Sequence, residues 1–423
     1  MGGTRVRWAG RGGGQVTVLG IGSRGDVQPC AALAEGLAGR GYGVTLVAAR
    51  RYAALAGPGV TFAPLSVDPL AVAGSEEGQR WLASGPLGFV RGFRTVVEPL
   101  AATLVGEVDA ACAGADLVLA PALGALGRHL YDRYGTPYRL LHFQPGEPTR
   151  AFPNPLIPMT TLGPPANRAS YALVERLGWL VLARMVNRLR SRVLGLGPLR
   201  GSPFAADRRA RVPVLCGFSP LVVPRPADWP AHVHVTGYWR LPSGRSAARP
   251  EHAEDLSGLR DFLAAGPRPV FVGFGSMVPS EPERVAAEVV AALRRARVRG
   301  VVQGLPVPPD DDVRVVGEVA HDLLFAEMAA VVHHGGAGTT GTALTAGIPN
   351  VVCSYFSDQP FWGRRVAALD AGPPPLPIRA LSSDVLAARL RSVPKYQEKA
   401  AQLGRLLRVE DGVKNAVDLI ERC

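Results

Sequence analysis

The chain has 423 residues, 47% of them apolar and 19% charged, which is material for two or three domains with large cores. Its formal charge of +12 rests almost wholly on arginine, since Lys395, Lys399 and Lys414 are the only lysines; this reads as the bias of a GC-rich genome, and the arginines are scattered without aromatic interleaving, so nucleic acid is not an expected partner while a phosphorylated ligand is. No apolar run reaches the roughly eighteen residues of a membrane span and the N-terminus carries no apolar signal segment, so a soluble cytoplasmic protein, monomer or dimer and without stable membrane insertion, is expected.

In chain order, residues 1–14 read as a disordered tail rich in glycine and arginine. Short apolar runs then alternate with helical patterns, the signature of parallel sheets covered by helices. Strands are predicted at Val16–Leu19, Gly43–Ala48, Val60–Pro64, Asp116–Ala120 and Tyr138–His142. Helices are predicted at Gln28–Arg40 and Pro99–Ala113, and a long one over roughly Asn167–Leu194. That long helix is read with arginines on one face and Leu, Val, Trp and Met on the other; ordinary packing is preferred over docking on a membrane surface. The alternation lapses between Ser219 and Pro250, where LPSGRSAARP looks like a linker, and resumes at Val270 with VFVGFGS, RGVVQG, VRVVG, AVVHHGG and IPNVVCS. The predicted architecture is therefore α/β, with two doubly wound Rossmann-like domains facing across a cleft. Their expected bounds are 15–238 and 256–404, with a linker at 239–255 and a final segment, 405–423, crossing back to the first domain. Five scattered cysteines, Cys30, Cys112, Cys216, Cys353 and Cys423, have no metal-ligand spacing, so neither a disulfide framework nor a metal site is expected.

Chemistry concentrates in four stretches. GIGSRGDVQP, from Gly20 to Pro29, has the glycine spacing of a dinucleotide loop, and Arg50 and Arg51 after the second strand strengthen the imitation. Asp26 directly behind the third glycine argues against it, because its carboxylate repels a pyrophosphate at the helix start. HHGGAGTT, His333 to Thr340, stands between a strand and a helix, where glycines admit a ligand to oriented N–H groups and the positive end of the helix dipole. SYFSDQPFW places Asp358 and Gln359 at the next helix start, as caps or as paired donors and acceptors for neighbouring hydroxyls. His142 ends a first-domain strand, where a lone histidine is more often structural.

The run from His333 to Leu369, HHGGAGTTGTALTAGIPNVVCSYFSDQPFWGRRVAAL, closely resembles the donor signature of the nucleotide-sugar-dependent glycosyltransferases of GT-B fold. The resemblance is to the branch holding sterol, macrolide and glycopeptide-antibiotic glycosyltransferases. GFGSM, AHDLLF, GSRGDVQP and PTRAFPNP support it in the same order along the chain. It implies that Ser276, Gly335, Gly336, Ala337, Gly338, Thr339 and His334 meet a diphosphate. Val319, Ala320 and His321 are implied beside the nucleotide base, and Asp358 and Gln359 on the sugar, with Trp362 packed behind. On the acceptor side it implies Ser23, Arg24 and Gly25, with Phe143, Phe152 and the stretch 81–93 giving an apolar wall with few charges. Two departures from the family pattern stand out: Cys353–Ser354, and Asp370 where glycine is usual.

Asp26 is assigned as the general base and His142 as its rival; a helix cap is the alternative role for Asp26. The implied reaction is a single displacement that inverts the anomeric centre, from a UDP- or dTDP-sugar onto a hydroxyl of a lipophilic acceptor. No cofactor beyond that co-substrate is expected, and no obligatory metal, since no D-x-D pair flanks the donor motif. A non-catalytic relative and a nucleotide-sugar epimerase or hydrolase are the competing readings.

Overall fold

A computed structural model of the chain describes residues 13–68, 98–243 and 253–422, apart from Ser276, Val278, Ser280 and Pro309. The first domain holds a seven-stranded parallel sheet in the order β3-β2-β1-β4-β5-β6-β7. Its strands are β1 (Gln15–Gly20), β2 (Gly43–Ala49), β3 (Val60–Leu65), β4 (Leu117–Pro121), β5 (Tyr138–His142), β6 (Val214–Cys216) and β7 (Val233–Val235). The second sheet has six parallel strands in the order β10-β9-β8-β11-β12-β13. These are β8 (Val270–Gly273), β9 (Gly300–Gln303), β10 (Val313–Val316), β11 (Ala330–His333), β12 (Asn350–Ser354) and β13 (Leu376–Pro377). Helices cover both faces of each sheet, which is why strands such as Val16–Leu19 and Ala330–His333 are buried throughout rather than alternating. In each sheet the strand order reverses beside the first strand, between β1 and β4 and between β8 and β11. Ligands of doubly wound sheets bind at such switch points.

Helix α1 (Arg24–Ala38) begins four residues before the predicted start. Ser23 caps it, and Pro29 lies inside it. Proline has no N–H to give, so the carbonyl four residues back, that of Gly25, is left without its helical donor. Beyond α2 (Glu98–Cys112) lies α3 (Pro164–Arg192). The segregated faces predicted for α3 are not observed: Leu173, Leu177 and Leu180 are exposed on the same side as Arg176 and Arg184, because spacings of three and four residues put all five on one stripe.

In the second domain α4 (Ala337–Ala346) and α5 (Gln359–Ala368) follow β11 and β12. The crossing back starts later than residue 405. Helix α6 (Gln397–Val409) still packs on α4, burying Ala400, Leu403 and Leu407 in a cluster with Leu344. Only α7 (Gly412–Arg422) reaches the first domain, where Ala416, Val417 and Ile420 share a core with Leu33 and Leu37 of α1. Burying such a side chain is worth about 1.5–3 kcal/mol for a leucine or isoleucine, so α7 is an integral part of the first domain. At the crossing, Glu410 accepts from Ser219 Oγ at 2.8 Å and from the Tyr238 N–H at 3.1 Å.

The departure at Asp370 has a structural counterpart. Its φ is +51°, a left-handed conformation that favours glycine and that aspartate tolerates better than most residues. Two residues on, a Cβ at Gly372 would lie 1.9 Å from the carbonyl oxygen of Asn350, a backbone atom with nowhere to go. Gly372→Ala is therefore expected to cost about 1–3 kcal/mol or more, while Asp370→Gly stays within about 1 kcal/mol of wild type. Thermal unfolding of both variants checks this; equal melting temperatures for wild type and Gly372→Ala contradict it.

Candidate active site

The strand ends of both sheets open on one cleft of about 1610 Å³ between the domains. The donor side is built on β11 and α4. His333, fully buried, accepts the Gly335 N–H at Nδ1 (3.1 Å) and hydrogen-bonds Asn350 Oδ1 through Nε2 (2.9 Å). Burial lowers its pKa to about 3, so it is a neutral strut that shapes the glycine turn. Gly335 itself has φ +92°, and a Cβ there would sit 2.6 Å from Val352. After this turn Gly336, Ala337, Gly338 and Thr339 line the cleft. The first helical bond onto this end is the one from the Thr340 N–H to the Gly336 carbonyl. The N–H groups of Ala337, Gly338 and Thr339 are thus unused inside the helix, and no acid stands in the first turn to neutralise them. An anion is the natural partner of such an end.

His334 lines the cleft between the ends of β8 and β11; a Cβ on Gly275 or Gly336 would meet its ring at 3.0 and 2.5 Å. Its Nδ1 is buried without a hydrogen-bond partner among the described residues, and burial lowers its pKa to about 4. His321 stacks on Phe325 with ring centroids 4.7 Å apart and bonds Gln303 Oε1 at 3.1 Å, giving with Val319 a flat patch at one end of the cleft.

Asp358 and Gln359 lie at the start of α5. Asp358 Oδ2 accepts from Trp362 Nε1 at 2.8 Å, so Trp362, fully buried behind it, fixes the carboxylate. Gln359 Oε1 accepts from the Tyr355 N–H at 2.8 Å, which leaves its NH₂ group to the cleft. Ser357, immediately before them on the cleft wall, has φ +61°, a strained value for serine.

Across the cleft stands α1. Asp26 Oδ2 accepts from both the Ser23 N–H and Ser23 Oγ, each at 2.8 Å. Asp26 therefore does close the helix start, from its third position, and the same residue also lines the cleft. Burial raises its pKa above the usual carboxylate range against the two serine bonds, and the charge of Asp358 adds to the rise. The first turns of α1 and α4 touch: a Cβ on Gly338 would lie 3.5 Å from Gly25 Cα. Two helix starts thus face one another, one open and one already answered by a carboxylate. Arg24 reaches over to Glu318 at 3.5 Å. This contact between the domains carries no signal in the local sequence of either loop.

His142 and Phe143 also line the cleft. His142 Nδ1 is buried without a partner among the described residues, with its pKa lowered to about 4 by burial. Phe143 stacks edge-on against Trp239 at 5.7 Å. Three residues expected at the site stand elsewhere. Phe152 is not on the cleft wall; it packs against Phe361 of α5 at 5.2 Å and helps join the domains. Gly335 and Ala320 lie behind the wall, since the turn needs Gly335 for its backbone and Ala320 is turned in as a helix cap. Ser276 and the stretch 81–93 fall outside the described residues. The first-domain half of the cleft is also more polar than expected. Glu147, Glu175, Asp207 and Arg208 all line it, brought there by elements far apart in sequence, and Glu147 Oε2 is buried without a partner among the described residues.

Known proteins agree with this architecture. Residues 16–153 match the glycosyltransferase family 28 N-terminal domain, and residues 277–407 match the erythromycin biosynthesis protein CIII-like C-terminal domain. Two sterol 3-beta-glucosyltransferases of Arabidopsis thaliana are 33% and 32% identical over 95% and 96% of this chain, which spans 64% and 68% of their lengths. One from Cryptococcus neoformans is 33% identical over 96% of the chain, which spans only 27% of that protein. Among solved structures, the glycosyltransferase of kitacinnamycin superposes with a TM-score of 0.66 at 22% identity, covering 97% of this chain and 98% of that one. VinC, solved with dTDP, gives 0.62 at 18% identity, covering 96% and 98%. The fold is GT-B, and the chain belongs to the nucleotide-sugar-dependent glycosyltransferases, in the family that contains the sterol 3-beta-glucosyltransferases.

Proposed function

We propose that the chain is an inverting glycosyltransferase that moves a sugar from a UDP- or dTDP-sugar to a hydroxyl of a lipophilic acceptor, sterol-like or a natural-product aglycone. The observation that carries this reading is the meeting of Asp26 with the open helix start at Gly336–Thr339 across one cleft. A base on one side and an anion site on the other are the two parts a single displacement needs. The diphosphate rests on the N–H groups of Ala337, Gly338 and Thr339 with His334 beside it, and Asp358 and Gln359 hold the sugar hydroxyls. Asp26 takes the proton of the attacking hydroxyl while the bond to the diphosphate breaks on the opposite face of the sugar ring. Charge growing on the leaving group is met by donors already in place, so little reorganisation is needed. The charged residues in the first-domain half suit an acceptor with an apolar body and polar groups at one end.

The test is acceptor and donor profiling with product identification. Lipophilic alcohols should outcompete free sugars, and EDTA should leave turnover nearly unchanged because protein donors carry the leaving-group charge. Simple sugars or proteins as best acceptors, or activity lost to EDTA and restored by Mg²⁺ or Mn²⁺, contradict the reading.

A further inference from the structure

The first-domain half of the cleft has a corner that the proposed reaction does not use. Three elements wall it: the loop after β5, the helix α3 and the short helix Pro203–Ala210. They bring Glu147, Glu175, Asp207 and Arg208 together. Glu175 bonds Ser202 and Arg208, and Asp207 accepts from the Tyr138 hydroxyl at 2.6 Å. Glu147, only 5% exposed, is held by its backbone, whose carbonyl accepts from Trp229 Nε1 at 3.1 Å. Its Oε2, by contrast, has no partner among the described residues. A buried carboxylate oxygen without a donor costs free energy, which a ligand can recover.

His142 does not meet that need. A Cβ on Gly146 would lie 3.2 Å from its ring, so the loop folds against the histidine. Yet His142 Nδ1 and Glu147 Oε2 are each left unpartnered, whereas a carboxylate placed to orient that ring would bond it. Charge then narrows the ligand. Arg208 favours the ionised form of Glu147, while burial, Glu175 and Asp207 oppose it. The corner thus sets three acids against one guanidinium, and that guanidinium is already bonded to Glu175. A neutral hydroxyl would satisfy one oxygen and leave the buried charge uncompensated. A protonated amine supplies a donor and the opposite charge together. The charge acting on Asp26 is that of Asp358 instead, so the corner is separate from the proposed base.

We propose that this corner holds a protonated amine of the acceptor, with Glu147 as the residue that selects it. The inference rests on the transferase reading above and narrows its acceptor class to a lipophilic alcohol that also carries a basic nitrogen. Val174 and Phe204, on the same two helices as Glu175 and Asp207, line the cleft and offer the apolar body a surface.

Three lipophilic alcohols of one skeleton test it, ending in a dimethylamino, an isopropyl or a hydroxyl group away from the reacting hydroxyl. Wild type should prefer the amine to both others by about ten- to a hundredfold in kcat/KM, the difference lying in KM. Glu147→Gln keeps the shape of the side chain and removes its charge. In that variant the preference should vanish while nucleotide binding persists. A hydroxyl compound as good as the amine, or an amine preference intact in Glu147→Gln, overturns the proposal. The ranking on wild type needs no variant, so it decides even if Glu147→Gln fails to fold. Calorimetric binding of the same compounds separates the two readings. An amine bound through Glu147 but never glycosylated overturns the transfer reaction and leaves the corner standing. All three compounds bound and glycosylated alike leave the reaction standing and overturn the corner.

Discussion

Asp26→Asn is expected to cut turnover by about a hundred- to ten-thousandfold while nucleotide binding stays near wild type, because a general base is lost and the donor site lies on the other domain. The substitution is discriminating here because Asp26 both closes the helix start and lines the cleft. Both hydrogen bonds from Ser23 go to a single oxygen, Oδ2, and an asparagine carbonyl can accept both. The helix start is therefore preserved in the variant and only the proton acceptor disappears. If closing the helix were the whole role, turnover would survive, since asparagine serves at helix starts about as well as aspartate. The acid limb of kcat/KM gives a second readout. The base acts only when ionised, and burial holds its pKa above the ordinary aspartate value of 3.8. Activity should therefore fall as pH drops through that raised value, and the limb should persist in His142→Ala. Near-normal turnover in Asp26→Asn with collapse in His142→Ala moves the base to His142.

His334→Ala should cost about 2–4 kcal/mol of transition-state stabilisation, roughly thirty- to a thousandfold in kcat/KM, with the fold intact. The ring sits in the gap between β8 and β11 with Nδ1 unpartnered among the described residues, so its removal breaks no described hydrogen bond. A loss confined to transfer and donor binding supports a role on the diphosphate. Activity within twofold of wild type in a folded protein ends that assignment. His333→Ala is the instructive contrast: His333 holds Gly335 and Asn350, so its loss should lower stability and activity together.

The parts of this site legible in the sequence are those made by short stretches. A strand, a glycine turn and a helix start lie within about a dozen residues around His333–Ala346, and their pattern alone specifies an anion site. Asp26 was legible for a negative reason, as a carboxylate standing where a dinucleotide loop cannot tolerate one. Motif membership did not say which way each residue turns. Gly335 and Ala320 belong to the right loops yet stand behind the wall, because one sets a left-handed turn and the other caps a helix. Contacts between the domains had no local signal: Gly25 against Gly338, Arg24 against Glu318 and Phe152 against Phe361 join residues hundreds of positions apart. Helix α1 starts earlier than predicted because Ser23 and Asp26 close it there, with Pro29 accommodated inside the helix. The polar residues of the first-domain half were missed for the same reason as the domain contacts, since Glu147, Glu175 and Asp207 converge only in three dimensions.

In the proposed reaction Asp26 and the α4 start act on opposite faces of one sugar in a single step. The measurement that bears on it most directly is the anomeric configuration of the product, read by proton NMR from an α-linked nucleotide sugar and a lipophilic alcohol. A β-glycoside formed only when the alcohol is present is the expected result; an α-glycoside, or free sugar released at the same rate without acceptor, contradicts the account.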